Sequence, residues 1–157
     1  LSLKYKKKYS PKEFEKYLII ASIIQKETHH KEEMPLIAAV IYNRLNRDIP
    51  LQIDATLNYG KYSHTPVTPY RIRNDKSKYN TYYHKGLPPK PLCSVSIDAL
   101  KAALNPPKLG YLYFVRTING YHRFSISYKD HLANITLYKV EKAKLRKYKS
   151  FLKGKKK

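Results

Sequence analysis

Tyr111-Leu112-Tyr113-Phe114-Val115-Arg116-Thr117-Ile118-Asn119-Gly120-Tyr121-His122-Arg123-Phe124-Ser125-Ile126 is the stretch that decides the fold class. Two runs rich in aromatic and β-branched residues, Tyr111 to Arg116 and Tyr121 to Ile126, flank Asn119-Gly120, the strongest short-range hairpin signal. The elements on either side read as helices and loops. The pattern therefore predicts an α+β domain, with helices packed around a small antiparallel sheet, rather than a parallel α/β fold.

Working outward, Ser10, Pro11 and Glu13 give an N-cap, a proline at the first helical position and a capping-box partner, so a helix starts there and is expected to stop near His30. Tyr17, Ile20, Ile24 and Glu27 fall three or four apart, with Ile23 beside them, and share one face of that helix. A second helix is expected from about Glu32 to Asn46, with Leu36, Ile37, Val40, Ile41 and Leu45 as its inward stripe. Asn43 lies at the stripe's edge, where a buried amide must either brace a neighbouring loop or touch a ligand. Asp54 can cap a short helical turn that Gly60 ends, which leaves Gln52 in an extended lead-in. From Lys61 to Pro91 the composition turns to Pro, Asn, Tyr, Lys and Gly without periodicity, a long loop expected to form one wall of a cleft. Within it Tyr79-Asn80-Thr81-Tyr82 groups amide, hydroxyl and aromatic side chains. Ser96 caps a helix through about Leu104, and Ser127 with Asp130 begins a final helix that runs into a lysine-rich tail. No internal repeat is visible.

At 157 residues the chain is of single-domain size, long enough to bury roughly 68–70% of its unfolded surface. It divides into a basic N-terminal segment (1–10), a central domain (11–138) and a lysine-rich C-terminal helix or tail (139–157). It begins with Leu1 rather than Met and shows no signal peptide or long apolar span, so it reads as an excised domain. The lone Cys93 excludes an internal disulfide and a cysteine-based zinc site. Lys and Arg number 32 against 11 acids, a formal charge of +21, which draws the chain toward an anionic partner: nucleic acid, lipid headgroups or an acidic polymer. Much of that excess lies in terminal runs of the kind that form solvated tails. Sixteen tyrosines offer stacking surfaces for bases or sugars.

Glu27 is the candidate catalytic group. Apolar neighbours and the negative end of a helix both disfavour a charged carboxylate, so the position suits an acid that keeps its proton. It also suits a glutamate whose stem packs while its head reaches water, and spacing alone leaves both readings open. The histidines at 29, 30, 64, 84, 122 and 131 form no recognised ligand set, so no metal is expected. No phosphate-binding glycine loop or Gly-x-Ser-x-Gly elbow is present.

These residues, taken in order, resemble the catalytic domain of the YceG-like, or MltG, endolytic murein transglycosylases. The resemblance rests on Lys26-Glu27-Thr28, Glu33, Asn43-Arg44-Leu45, Leu51-Gln52 with Asp54 and Thr56, Tyr59-Gly60, Tyr79-Asn80-Thr81-Tyr82, Gly86-Leu87-Pro88-Pro89, Asp98 to Ala103, Tyr111 to Val115, and His122 with Phe124. It implies cleavage between N-acetylmuramic acid and N-acetylglucosamine in peptidoglycan strands, with 1,6-anhydro ends and no cofactor. It places the catalytic acid and base at Glu27, with Gln52, Asp54, Asn80, Tyr82 and Asn43 as substrate-binding candidates; turn formation and backbone capping are the competing roles for these. The family commonly has a second glutamate where this chain has Gln25. Residues two apart point about 200° apart on a helix, so positions 25 and 27 would not face one cleft together. The resemblance further implies a membrane-anchored parent protein at the periplasmic, outer face of the cytoplasmic membrane, acting on nascent glycan beside peptidoglycan synthases, with no specific nucleic acid partner. Two rival classes are a nucleic-acid-binding module, suggested by the charge and by the lysines and tyrosines from Lys61 to Lys85, and a scaffold that holds peptidoglycan without cutting it.

Overall fold

The structure is a computed structural model that describes residues 8–155. It is helix-rich with a single two-stranded antiparallel sheet among the described residues, the α+β class expected. The chain divides into two compact units, one ending at Gly110 and the other beginning at Tyr111.

In the first unit, helix α1 spans Pro11–Glu27 and α2 spans Met34–Asn46, joined by a 3-10 turn at Lys31–Glu33. Further 3-10 turns at Asp54–Leu57 and Gly60–Tyr62 lead to α3, Pro69–Asn74, and α4 covers Ile97–Leu104. The start of α1 is a complete capping box: Glu13 N–H donates to Ser10 Oγ at 3.2 Å and Ser10 N–H to the Glu13 carboxylate at 3.1 Å. Ile20, Ile23 and Ile24 of α1 are wholly buried, as are Ile37 and Ile41 of α2 and Leu100 of α4. Burying each such side chain contributes about 1.5–3 kcal/mol, so this three-helix core fixes where the end of α1 lies.

Two boundaries differ from the expectation. Helix α1 stops at Glu27, not near His30, because Thr28 leaves helical geometry and its side chain bonds instead to His30 N–H and the Glu33 carboxylate. The segment from Lys61 to Pro91 is not structureless: Thr68 caps α3, its Oγ accepting Arg71 N–H at 3.2 Å, and Pro69 fills the first helical position.

In the second unit, β1 (Tyr113–Arg116) pairs with β2 (His122–Ser125), Phe114 opposite Phe124 and Val115 opposite Arg123. The hairpin turns through Ile118-Asn119-Gly120 rather than through Asn119-Gly120 alone. Thr117 N–H donates to Tyr121 O at 2.7 Å and Gly120 N–H to Thr117 O at 3.2 Å, with Gly120 at φ +83°. The three-residue loop needs its last member left-handed, which glycine supplies without steric cost. Helix α5, Tyr128–Lys155, packs on this hairpin: His131 stacks on Tyr113 with ring centroids 4.9 Å apart, and Arg123 pairs with Glu141 at 2.7 Å. The helix runs unbroken through position 139.

Candidate active site

Glu27 is the last residue of α1 and is half-buried. Its neighbours tie the helix end to separate segments. Gln25 Oε1 accepts Ser96 N–H at 2.9 Å, where Ser96 is itself the cap of α4. Lys26 Nζ donates to Ser63 Oγ at 3.1 Å. Thr28, buried, donates from Oγ1 to the Glu33 carboxylate at 3.1 Å and accepts His30 N–H at 3.0 Å. One turn earlier, buried Ser22 accepts Leu92 N–H at 2.9 Å. Each bond contributes about 1 kcal/mol net, and together they restrict the position of the carboxyl group.

A loop pair lies against α1 through the Asp54–Leu57 turn. Thr56 and Thr81, both fully buried, share a hydroxyl contact of 2.9 Å, and Thr81 Oγ1 accepts Ile53 N–H at 3.1 Å. Gln52 N–H donates to Thr81 O at 3.2 Å. This stitching sets residues 52–54 beside 80–82 and presents Tyr82, whose hydroxyl donates to Asp54 Oδ1 at 2.5 Å. Burial above all, then that bond and the negative charges of Asp54 and Glu27, raise the Tyr82 pKa above the ordinary phenol value, while Arg44 pulls the other way. Tyr82 therefore remains a hydrogen-bond donor at any working pH.

Of the residues expected at the site, Asp54 and Tyr82 are thus bonded to one another, with Glu27 in electrostatic reach of Tyr82. Gln52 is exposed and held in left-handed backbone at φ +52°. Asn80 is fully buried: its amide donates to Ile72 O at 2.9 Å and Asp75 O at 2.6 Å, and its oxygen accepts Tyr82 N–H at 3.0 Å. That is the turn-forming role, and it orients Tyr82 from behind. Asn43 takes the bracing role, donating to Leu109 O at 2.5 Å.

Arg44, Thr81 and Thr56 carry weight that the sequence reading did not assign. Arg44 is buried and donates to Pro50 O at 2.8 Å, which holds the approach to Gln52. Its position, three after Ile41 and seven after Ile37, was the available signal: a charge in an apolar stripe, by the same reasoning that singled out Glu27. The outer loop is pinned by Arg71, which donates to Leu57 O at 2.6 Å and lies over the Tyr62 ring at 5.2 Å, next to Tyr59 stacked on Tyr79 at 4.1 Å.

The chain is 39% identical over 116 residues to an endolytic murein transglycosylase of Bacillus subtilis (strain 168), a match covering 74% of this chain and 32% of that protein. It is 38% identical over 124 residues to the endolytic murein transglycosylase of Streptococcus pneumoniae (strain D39), covering 75% of this chain and 22% of that protein. The chain thus spans about a third or less of these relatives' length. A 2.6 Å crystal structure of a YceG-like protein from Listeria monocytogenes superposes with a TM-score of 0.70 at 39% identity, over 76% of this chain and 39% of that one. Residues 2–137 match the model of the YceG-like family, and the chain belongs to that family.

Proposed function

We propose that this domain cleaves peptidoglycan glycan strands internally, between N-acetylmuramic acid and N-acetylglucosamine, as a lytic transglycosylase with Glu27 as both acid and base. The observation that carries the reading is the place of Glu27 at the end of α1, within electrostatic reach of the bonded pair Tyr82 and Asp54. Two relatives named endolytic murein transglycosylases support the substrate class.

In this mechanism the Glu27 carboxyl gives its proton to the glycosidic oxygen, and the bond from that oxygen to the anomeric carbon of the muramic sugar breaks. The departing sugar leaves with the new hydroxyl. The Glu27 carboxylate then takes the proton of the muramic 6-hydroxyl, whose oxygen closes on the anomeric carbon as a 1,6-anhydro ring. No water is consumed and the acid is restored. An oxocarbenium-like charge develops at the anomeric carbon, and a second carboxylate nearby stabilises it. Asp54 is suited to that role, with Tyr82 positioning it. Gln52 supplies an exposed amide for an acetamido or hydroxyl group.

The substrate puts the working domain on the outer face of the cytoplasmic membrane, beside the enzymes that make new glycan. Among the described residues no helix is long and apolar enough to cross a membrane. Mass spectrometry of murein digested by the parent chain and by Glu27→Gln tests the proposal. Expected are ends one water lighter than hydrolysis gives, and loss of cleavage in a variant that still folds. Ordinary reducing ends, or a Glu27→Gln variant that cuts at the parent rate, would overturn it.

A further inference from the structure

The last half of α5 has no structural work in the fold described above. From Lys142 to Lys155 every residue is exposed except Leu145, which is half-buried. That length is about 21 Å of helix, and a free helix of this size is marginal in water. Its side chains are nevertheless sorted. On a 3.6-residue wheel Leu137, Val140, Tyr148 and Phe151 fall in one arc, with Leu152 and Leu145 along its edge. Leu137, Val140, Tyr148, Phe151 and Leu152 are between 41% and 59% exposed.

Around that stripe the charge has one sign. Residues 139–155 contain eight cations (Lys139, Lys142, Lys144, Arg146, Lys147, Lys149, Lys153, Lys155) and one acid, Glu141, a net of seven positive charges. Arg123 already engages Glu141. Lys147 borders the stripe on one side and Lys149 on the other, and Lys144 and Lys155 lie within it. Their alkyl stems can follow the apolar surface while the ammonium groups reach anionic headgroups.

We propose that this half of α5 lies in the plane of an anionic lipid surface, its stripe at the headgroup–acyl boundary and its lysines on the lipid phosphates. The charge pattern selects this occupant. A nucleic acid would satisfy the lysines and leave Tyr148, Phe151 and Leu152 in water. A second copy would cover the stripe but bring seven like charges against seven. A lipid surface meets both requirements, and its occupation is read without reference to Glu27 chemistry.

The chain has no tryptophan, so Phe151→Trp introduces a single fluorophore into the stripe. Mixed with phosphatidylcholine vesicles containing phosphatidylglycerol, this variant is expected to shift to the blue and co-sediment, less so as salt rises and little on phosphatidylcholine alone. Adding Tyr148→Ser and Leu152→Ser, both at exposed positions, is expected to weaken binding at least about 10-fold, as is adding Lys144→Gln, Lys147→Gln and Lys149→Gln. The proposal fails if no shift occurs on anionic vesicles at low salt, or if the serine variant binds as the parent does. It also fails if the parent is a dimer that the serine changes dissociate, or if duplex DNA competes the chain off vesicles at physiological salt.

Discussion

Gln52 separates stability from activity in a way one substitution can expose. Its backbone sits at φ +52°, a conformation that costs an L-residue roughly 1–2 kcal/mol and a glycine nothing. Gln52→Gly relieves that strain but adds freedom to the unfolded chain worth about 0.4–1 kcal/mol, which leaves a net stabilisation of about 0.5–1 kcal/mol. The Gln52 side chain is exposed, so deleting it removes no core packing, and the N–H bond to Thr81 O is retained. For a chain of this length the gain corresponds to a rise in Tm of about 1–4 °C. If the amide binds glycan, cleavage falls about 10-fold, the loss of one substrate hydrogen bond. Gln52→Ala keeps the backbone demand and loses the amide, so it should match the glycine variant in activity but melt lower. Thermal unfolding and murein digestion on the three proteins decide the matter. A glycine variant that melts below the parent refutes the strain argument, and either variant cutting at the parent rate removes the amide from the site.

Thr81→Val keeps the shape of a buried side chain but leaves Ile53 N–H without its acceptor; a loss of about 2 kcal/mol and a Tm lower by roughly 4–8 °C are expected, with Thr81→Ser close to the parent. An unchanged melting curve for the valine variant would show that the hydroxyl stitching between the two loops does not hold them. Tyr82→Phe removes the donor to Asp54 at little cost in stability, since exposed Asp54 rehydrates; cleavage is expected to drop about 10-fold, and steady-state rates at the parent level would exclude the hydroxyl. Tyr42, whose hydroxyl donates to Ala103 O at 2.6 Å, has its pKa raised from 10.0 to about 12, by burial first and by Tyr17 and Tyr9 next. The folded chain then holds a proton that the unfolded chain has lost, so this contribution to stability is present below pH 10 and disappears as pH rises toward about 12. Phenolate absorbance should show a late rise that Tyr42→Phe reduces, the remainder belonging to Tyr82.

The legible parts of the fold were those written in local chemistry. Ser10, Pro11 and Glu13 announce the start of α1 because the capping bonds join neighbours in sequence, and Asn119-Gly120 announces the hairpin because only a left-handed residue closes it. The end of α1 was less legible because Thr28 and Glu33 set it through a side-chain bond that periodicity does not record. Helix α3 was missed although Thr68-Pro69 is a start signal: it is six residues long, has no apolar stripe, and is held by Arg71 reaching back to Leu57 O. At the site, spacing was enough to find Glu27 as a charge within a stripe; Arg44 carried the same signal and was passed over. The division of labour between Asn80, which is sealed in, and Tyr82, which meets Asp54, depends on contacts that only the folded loop creates.

The departure at Gln25 follows from the same geometry. Position 25 faces the α4 cap and needs an acceptor for Ser96 N–H; a carboxylate and a carboxamide oxygen both supply one. A glutamate there would accept the same bond, so exchange of the two residues leaves the end of α1 anchored. At position 27 the requirement is different. Thr28 and Lys26 are already committed to Glu33 and Ser63, and the group between them lies within electrostatic reach of Tyr82. A carboxamide at position 27 keeps size and polarity but neither yields nor recovers a proton at working pH. One helix turn thus carries a replaceable acceptor and, two residues on, the carboxyl group whose proton the proposed mechanism uses, and the roughly 200° between them keeps the two roles from interfering.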